Sequence, residues 1–228
     1  MPLGRPDERF DFVRAFGRDA PRVLDLGCGN GRFLIASALA RPNLDHLGID
    51  LVPPAVKFAS LRAGQRGLTN AKVAWGDASE FLLRRCPESS ACEVHLYHPQ
   101  PYRDHAKAAR RQLTPAILGA IHRVLVPAGL FVFQTDNPAF AAYARRVLPA
   151  LFEVREHPEP WPDAPRGRTL REIVARQQRL VIVRLLCTRL DLPPEEAARR
   201  VAGLPEPAFD AAADRAQRVP RPRRTPRR

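Results

Sequence analysis

Three glycines at alternate positions, Gly27, Gly29 and Gly31, follow directly on the apolar run Val23-Leu24-Asp25-Leu26, and an acid, Asp50, ends the next apolar run. No other feature constrains the fold as tightly. An apolar run that short reads as a buried strand rather than a helix. The glycines permit the positive φ angles of a tight turn and let a ligand approach bare backbone, while an acid ending the following strand accepts hydrogen bonds from ribose hydroxyls. The spacing then separates two kinds of nucleoside ligand. A dinucleotide fingerprint, G-x-G-x-x-G, aims helix N-terminal amides at a pyrophosphate. Here the pattern is D-x-G-x-G-x-G, and Asp25, ahead of the first glycine, repels phosphate and suits an ammonium group. The ligand implied has an adenosine with free ribose hydroxyls, no phosphate and a cationic amino group.

S-adenosylmethionine has these three properties, and the chain resembles a class I S-adenosylmethionine-dependent methyltransferase, with S-adenosylhomocysteine as product. The rhythm of the chain agrees. Strand-like and helix-like segments alternate from residue 22 to about residue 150, the pattern of a parallel sheet covered on both faces. Strands are expected at 22–26, 46–51, 71–75, 93–97 and 130–134, and helices at 31–40, 54–67, 79–85, 115–125 and 139–148. A last pair of strands, 152–156 and 179–190, would form the antiparallel hairpin that closes the sheet of such enzymes, with a capped helical turn at 169–178 between them. The resemblance thus implies an α/β, Rossmann-like, doubly wound and mostly parallel seven-stranded sheet with an antiparallel C-terminal hairpin. It divides the chain into an N-terminal extension (1–21), a methyltransferase domain (22–190) and a Pro/Ala/Arg-rich basic tail (191–228), partly disordered, with one helix expected within 191–202.

The net charge of +13 comes mainly from arginine, since the only lysines are Lys57, Lys72 and Lys107. Arginine forks match phosphate geometry, which makes a polyanion such as RNA the leading partner; an arginine-rich composition from a GC-rich genome is the competing explanation. Residues 215–228 hold seven arginines, three prolines and no acid, and would add salt-sensitive phosphate contacts. Four scattered cysteines form no CxxC pair and no disulfide framework. There is no long apolar run for a membrane and no signal-peptide core near the N-terminus, so a cytoplasmic protein with no membrane contact is expected. Nothing in the sequence sets an oligomeric state. Cys92, His95 and His98 recur every three residues, but on a strand such positions alternate between faces, and no metal site is expected.

Two further segments refine the reading. Asp77, in Gly76-Asp77-Ala78 at the end of the third strand, stands where an acid and the amide of Ala78 reach an adenine edge. The fourth strand ends in Tyr97-His98-Pro99-Gln100-Pro101-Tyr102, whose prolines stiffen the backbone around Gln100 at the sheet edge where open parallel sheets bind ligands. With Lys107 and Arg110-Arg111, Thr135-Asp136-Asn137 and Thr169-Leu170-Arg171-Glu172 following in order, the chain resembles the bacterial tRNA (guanine-N7)-methyltransferase family, which carries F-P-D-P-W with a basic run, then T-D-W, then T-K-F/Y-E. The resemblance implies that Asp25, the glycine loop, Asp50, Leu51, Asp77, Ala78 and His98 contact the cofactor. It also implies that Asp136, Thr169 and Glu172 contact the guanine nucleotide, that Arg103, Asp104, Arg110 and Arg111 lie on the tRNA side, and that Gln100 is the catalytic position. Gln100 stands in place of the family's aspartate and Asp104 in place of a lysine; Tyr102 and Asn137 replace tryptophans, and Arg179 and Leu180 replace a glycine and a histidine. Guanine N7 carries a lone pair and no proton, so methyl transfer needs no general base, but an amide stabilises the cationic product base less than a carboxylate does. Slower transfer, another acceptor (other RNA, protein or small molecule) or a catalytically weak RNA-binding paralogue are the alternatives this leaves.

Overall fold

The computed structural model describes residues 8–102 and 110–211. Seven strands form one sheet: β1 (Arg22–Leu26), β2 (Asp45–Asp50), β3 (Ala71–Trp75), β4 (Ala91–Tyr97), β5 (Leu125–Thr135), β6 (Phe152–Glu156) and β7 (Val183–Arg189). Their order is β3-β2-β1-β4-β5-β7-β6. The first five are parallel, and β7 pairs antiparallel with both β5 and β6. The strand order reverses between β1 and β4, which opens a crevice over their C-terminal ends, the place where sheets of this kind bind ligands. Among the described residues, no helix is long and apolar enough to cross a membrane.

The helices are α1 (Phe12–Phe16), α2 (Arg32–Ala40), α3 (Pro53–Gly64), α4 (Ala78–Glu80), α5 (Pro115–Val124), α6 (Pro138–Val147), α7 (Leu170–Gln177) and α8 (Pro194–Ala202). Strand alternation sends Leu24, Leu26, Val94, Leu96, Phe131 and Phe133 to one face, where they pack with Leu118 and Ile121 of α5 and Phe140 of α6 in the largest core cluster. The residues between them, Val23, Tyr97 and Val132, point to the other face and meet Phe33 of α2 and Trp161. On that second face α2 and α3 cover the β1 side of the sheet through Ile35, Ala38 and Ala63.

Several boundaries differ from the sequence expectation, and four of the differences have a visible cause. Phe10 and Phe12 belong to the core: Asp11 caps α1 by accepting from the Arg14 amide at 2.9 Å, and the Phe10 ring packs edge-on against both Phe12 and Phe81. The segment expected as one helix over 79–85 is a three-residue α4 followed by a π-helical turn, Phe81–Arg85, because Arg123 takes the carbonyls of Leu82 and Cys86 at 2.6 and 3.1 Å. β5 starts five residues early, its register with β4 jumping at a bulge between Ala91 and Glu93. The last strand starts at Val183 rather than at 179, since Arg179 adopts φ 60 and closes the end of α7.

Gly31 has two reasons to be glycine. Its φ is 70, and a Cβ there would stand 2.8 Å from the Ala59 Cβ, so the gap between α2 and α3 depends on a missing methyl group. Gly31→Ala is expected to lower stability by about 2 kcal/mol, from left-handed strain plus overpacking. Calorimetry would show this as a reduced Tm, and an unchanged Tm would mean that the two helices separate without penalty.

Candidate active site

β1 delivers Asp25 to the bottom of a cavity of about 250 Å³ lined by Gly27, Asn30, Phe33, Tyr97, His98 and Thr169 among others. Gly27 and Gly29 have φ angles of 73 and 53, and a Cβ on either would meet nothing within 4 Å. These two are glycine for backbone conformation, and they leave bare peptide at the cavity. Asp50, at the end of β2, clasps the loop: its carboxylate accepts from the Gly29 amide at 2.7 Å and from the Val52 amide at 2.9 Å. Asp25 is 2% exposed, and among the described residues no donor reaches its side chain. Burial, and secondarily the nearby Asp50 carboxylate, push it up to about 8. A buried acid that lines a cavity without a partner is completed by a cation, which is the charge an α-ammonium group brings. The residues present therefore fit S-adenosylmethionine.

The opposite rim is a chain of hydrogen bonds. Trp161 donates its indole N–H to the Gln134 Oε1 at 2.6 Å, and an indole is donor only, so the Gln134 amide must present its NH₂ to the His98 Nε2, 2.7 Å away. His98 accepts there and donates from Nδ1 to Asp136 at 2.7 Å. Arg171 pairs with the same carboxylate. Burial alone would raise Asp136, but the bonds from His98 and Arg171 outweigh it and hold the group at about 2. His98 itself sits at φ 50, a left-handed conformation uncommon outside glycine, and the pairing of both ring nitrogens holds it there.

A second relay supports the floor. Arg168 donates to the Tyr97 hydroxyl at 2.9 Å, and that hydroxyl lies 3.0 Å from the His95 Nδ1, whose Nε2 meets Glu93 at 2.9 Å. Burial lowers His95, leaving it neutral, so Tyr97 donates to Nδ1 and His95 donates to Glu93. His95 and His98 are thus both engaged in side-chain hydrogen bonds, and the Cys92 thiol donates to the Arg22 carbonyl at 3.1 Å.

The structure gathers the expected residues only in part. Asp25, Gly27, Gly29, His98 and Thr169 line the cavity, Gly31 and Asp50 shape its loop, and Asp136 borders it through His98. Asp77 caps α4, accepting from the Ser79 amide at 2.7 Å; Ala78 is buried, and Leu51 is 58% exposed beside Trp75. Gln100 is exposed and is not part of the cavity wall. Arg110 is exposed. Two residues expected at the substrate are used inside the protein instead. Arg111 is 2% exposed, donates to the carbonyls of Pro101, Tyr102 and Pro207, and stacks 3.9 Å over Phe209, tying the end of β4 to the C-terminal segment. Glu172 is fully buried; it accepts from the Arg168 amide and from Arg184, both at 2.8 Å. Arg103, Asp104 and Lys107, with residues 212–228 of the basic tail, lie outside the described residues.

Neither Gln134 nor Arg168 carries a role legible in the sequence, and Arg171 appears there only within its motif. One signal was present: Gln134 is a polar side chain inside the apolar strand Leu130-Phe131-Val132-Phe133, and a buried amide requires partners. Their identity depended on a loop more than twenty residues away in sequence.

Residues 19–182 match a family described as "Putative methyltransferase". A tRNA (guanine-N(7)-)-methyltransferase of Alkalilimnicola ehrlichii is 34% identical over 166 residues, covering 73% of this chain and 69% of that protein. The enzyme of the same name from Halorhodospira halophila is 39% identical over 141 residues, 62% of this chain and 60% of that one. The one from Shewanella amazonensis is 30% identical over 182 residues, 79% and 76% of the two chains. Solved structures of the 16S rRNA methyltransferase KamB (TM-score 0.58, 18% identity, 78% of this chain and 92% of that one) and of the antibiotic-resistance methyltransferase Kmr (0.53, 21%, 80% and 92%) share the fold. Fold and family together imply use of S-adenosylmethionine. By the extent of the matched region and the identity to these relatives, the chain belongs to the tRNA (guanine-N(7)-)-methyltransferase family.

Proposed function

We propose that this chain transfers a methyl group from S-adenosylmethionine to N7 of a guanine in tRNA, working in the cytoplasm. The observation that carries the reading is the meeting, in one cavity, of an unpartnered buried carboxylate, Asp25, with the Gln134–His98–Asp136–Arg171 chain. The cofactor, when bound, supplies an electrophilic sulfonium methyl. Asp25 pairs with its ammonium group, the bare backbone of Gly27 and Gly29 lets it approach closely, and Asp50 and Asp77 take the ribose and the adenine edge. Asp136 and Thr169 hold the guanine with its N7 lone pair aimed along the bond that breaks. Transfer would form the N7–methyl bond as the donor's sulfur–methyl bond broke, leaving S-adenosylhomocysteine and a cationic base. No proton moves, so the acceleration comes from in-line positioning and from the nearby negative charge of Asp136. Glu172 acts through Arg168 and α7 without touching the base.

The test is direct. Incubate the protein with labelled S-adenosylmethionine and unmodified tRNA, then treat the RNA with borohydride and aniline, which cut the chain at N7-methylguanine. Label incorporation with scission is the expected result; no incorporation overturns the reading. Label without scission would favour the second reading, another acceptor atom, which the exposed amide of Gln100 motivates. Gln100→Asp is expected to speed single-turnover transfer on the order of tenfold, since a carboxylate stabilises the cationic product better than an amide. An unaltered rate would remove Gln100 from the reaction.

A further inference from the structure

A second concavity, about 500 Å³, lies beside the cofactor cavity and shares Arg32 and Phe33 with it. Its walls come from three segments distant in sequence: α2, the end of α3, and the loop before α7. They bring five arginines together, Arg32, Arg62, Arg66, Arg166 and Arg168, against a single acid, Asp163. Asp163 is engaged by Arg168. Arg32, Arg62 and Arg66 donate to the carbonyls of Gly167, Asn30 and Arg62, which position their guanidinium groups without neutralising them. The floor between them is apolar, with Ala36 exposed and Leu39 53% exposed. Among the described residues four of these guanidinium groups meet no carboxylate, and such a groove concentrates the field of one sign and matches a partner that repeats negative charge along its length.

We propose that this groove is a phosphate-backbone track for RNA: it grips the strand that leads the target nucleotide into the cofactor cavity. The assignment rests on the RNA acceptor proposed above. Three features favour a strand over a small anion. The arginines come from separated elements rather than converging on one point, the groove is open, and it is continuous with the cofactor cavity through Arg32. Arg62 and Arg32 also touch the glycine loop, Arg62 through the Asn30 carbonyl and Arg32 through its amide to the Asn30 Oδ1 at 3.2 Å. Phosphate contact in the groove and the shape of the cofactor loop therefore share residues.

The test uses Arg66 and Arg166, both exposed and neither in contact with the cofactor loop. The full-length Arg66→Ala/Arg166→Ala variant is compared with the wild type in tRNA binding across a salt series. A control, Arg14→Ala/Arg84→Ala, removes the same charge from two exposed sites, one on α1 and one on the π-helical turn, against the opposite face of the sheet. Each lost phosphate contact reduces the slope of log K against log salt by about 0.7 to 0.9, so the groove variant should lose about 1.5 in slope. It should bind tRNA about tenfold more weakly near 0.15 M salt, while the control barely changes. Affinity for S-adenosylmethionine and Tm should stay at wild-type values, which a misfolded variant would not achieve. A groove variant whose slope and affinity match the control overturns the track. If the reduced slope appears but the wild type leaves no scission at N7-methylguanine, the track stands and the N7 reading falls. A wild type that binds no tRNA overturns both. Loss of tRNA binding that inorganic pyrophosphate reproduces by competition at micromolar concentration in the wild type alone would assign the groove to a small anion and overturn the strand.

Discussion

Asp25→Asn is expected to weaken S-adenosylmethionine binding about 100-fold or more at pH 8 while making the free protein more stable at the same pH. The two effects have one cause. In the free protein the Asp25 carboxyl is buried, lines the cavity and has no donor among the described residues, so burial and then Asp50 raise it to about 8. An aspartate in the unfolded chain titrates near 3.9. Between about pH 4 and about pH 8 the folded protein therefore holds a proton that the unfolded chain has released, and the stability contributed by this group falls as pH rises through that window. The amide of the variant has no charge to desolvate. Its Tm should match the wild type near pH 4 and exceed it progressively toward pH 8. Binding runs the other way, because a cationic ligand needs the carboxylate. Wild-type affinity should climb about tenfold per pH unit up to about pH 8, with protons released on binding, and the variant should lose both the climb and the release. Loss of one partner of a buried charged pair is worth about 2–5 kcal/mol, the source of the 100-fold figure. Titration calorimetry in two buffers of different ionisation heat separates these outcomes, and a variant that binds the cofactor as tightly as the wild type would end the ammonium assignment. The protein carries an unfavourable buried acid, and a ligand that completes it on binding would make this a form of the exchange between stability and function.

Glu172→Ala should lower stability by about 3–5 kcal/mol, because it leaves Arg184 charged, 4% exposed and without its carboxylate. At about 2–4 °C per kcal/mol for a domain of this size, that is a drop in Tm of roughly 6–20 °C. The same substitution frees the Arg168 amide and loosens the segment that carries Thr169. Glu172→Leu combined with Arg184→Met replaces the pair by apolar groups of similar volume and should recover much of the lost Tm. Recovery of methyl transfer along with Tm would show that the reaction needs only the packing Glu172 provides; a thermally restored double variant that still fails to methylate tRNA would show that it needs the carboxylate itself, as acceptor for the Arg168 amide or at the nucleotide.

The core of the sheet was legible because strand and helix periods differ. The alternation of Leu24, Leu26, Val94, Leu96, Phe131 and Phe133 with the residues between them is a local property, and so is the left-handed need of Gly27 and Gly29. Two of the boundaries that moved did so for non-local reasons. The π-helical turn at Phe81–Arg85 depends on Arg123, thirty-seven residues beyond Cys86, and α1 joins the core because Phe10 finds Phe81.

The candidate site divides along the same line. Asp25, the glycines and Asp50 were readable in advance as one strand, one turn and the end of the next strand, because that arrangement is set by spacing along the chain. The acceptor side could not be read so far. Motif position placed Arg111 and Glu172 at the substrate, whereas packing commits Arg111 to three carbonyls and Phe209, and Glu172 to Arg184. Sequence alone determined the fold class, the glycine loop between β1 and α2 and a strongly basic chain. Only the tertiary structure decided which acids stay open to a ligand and which arginines share a groove, because a charged side chain is claimed by whichever partner lies nearest in space, and those partners come from segments far apart in the chain.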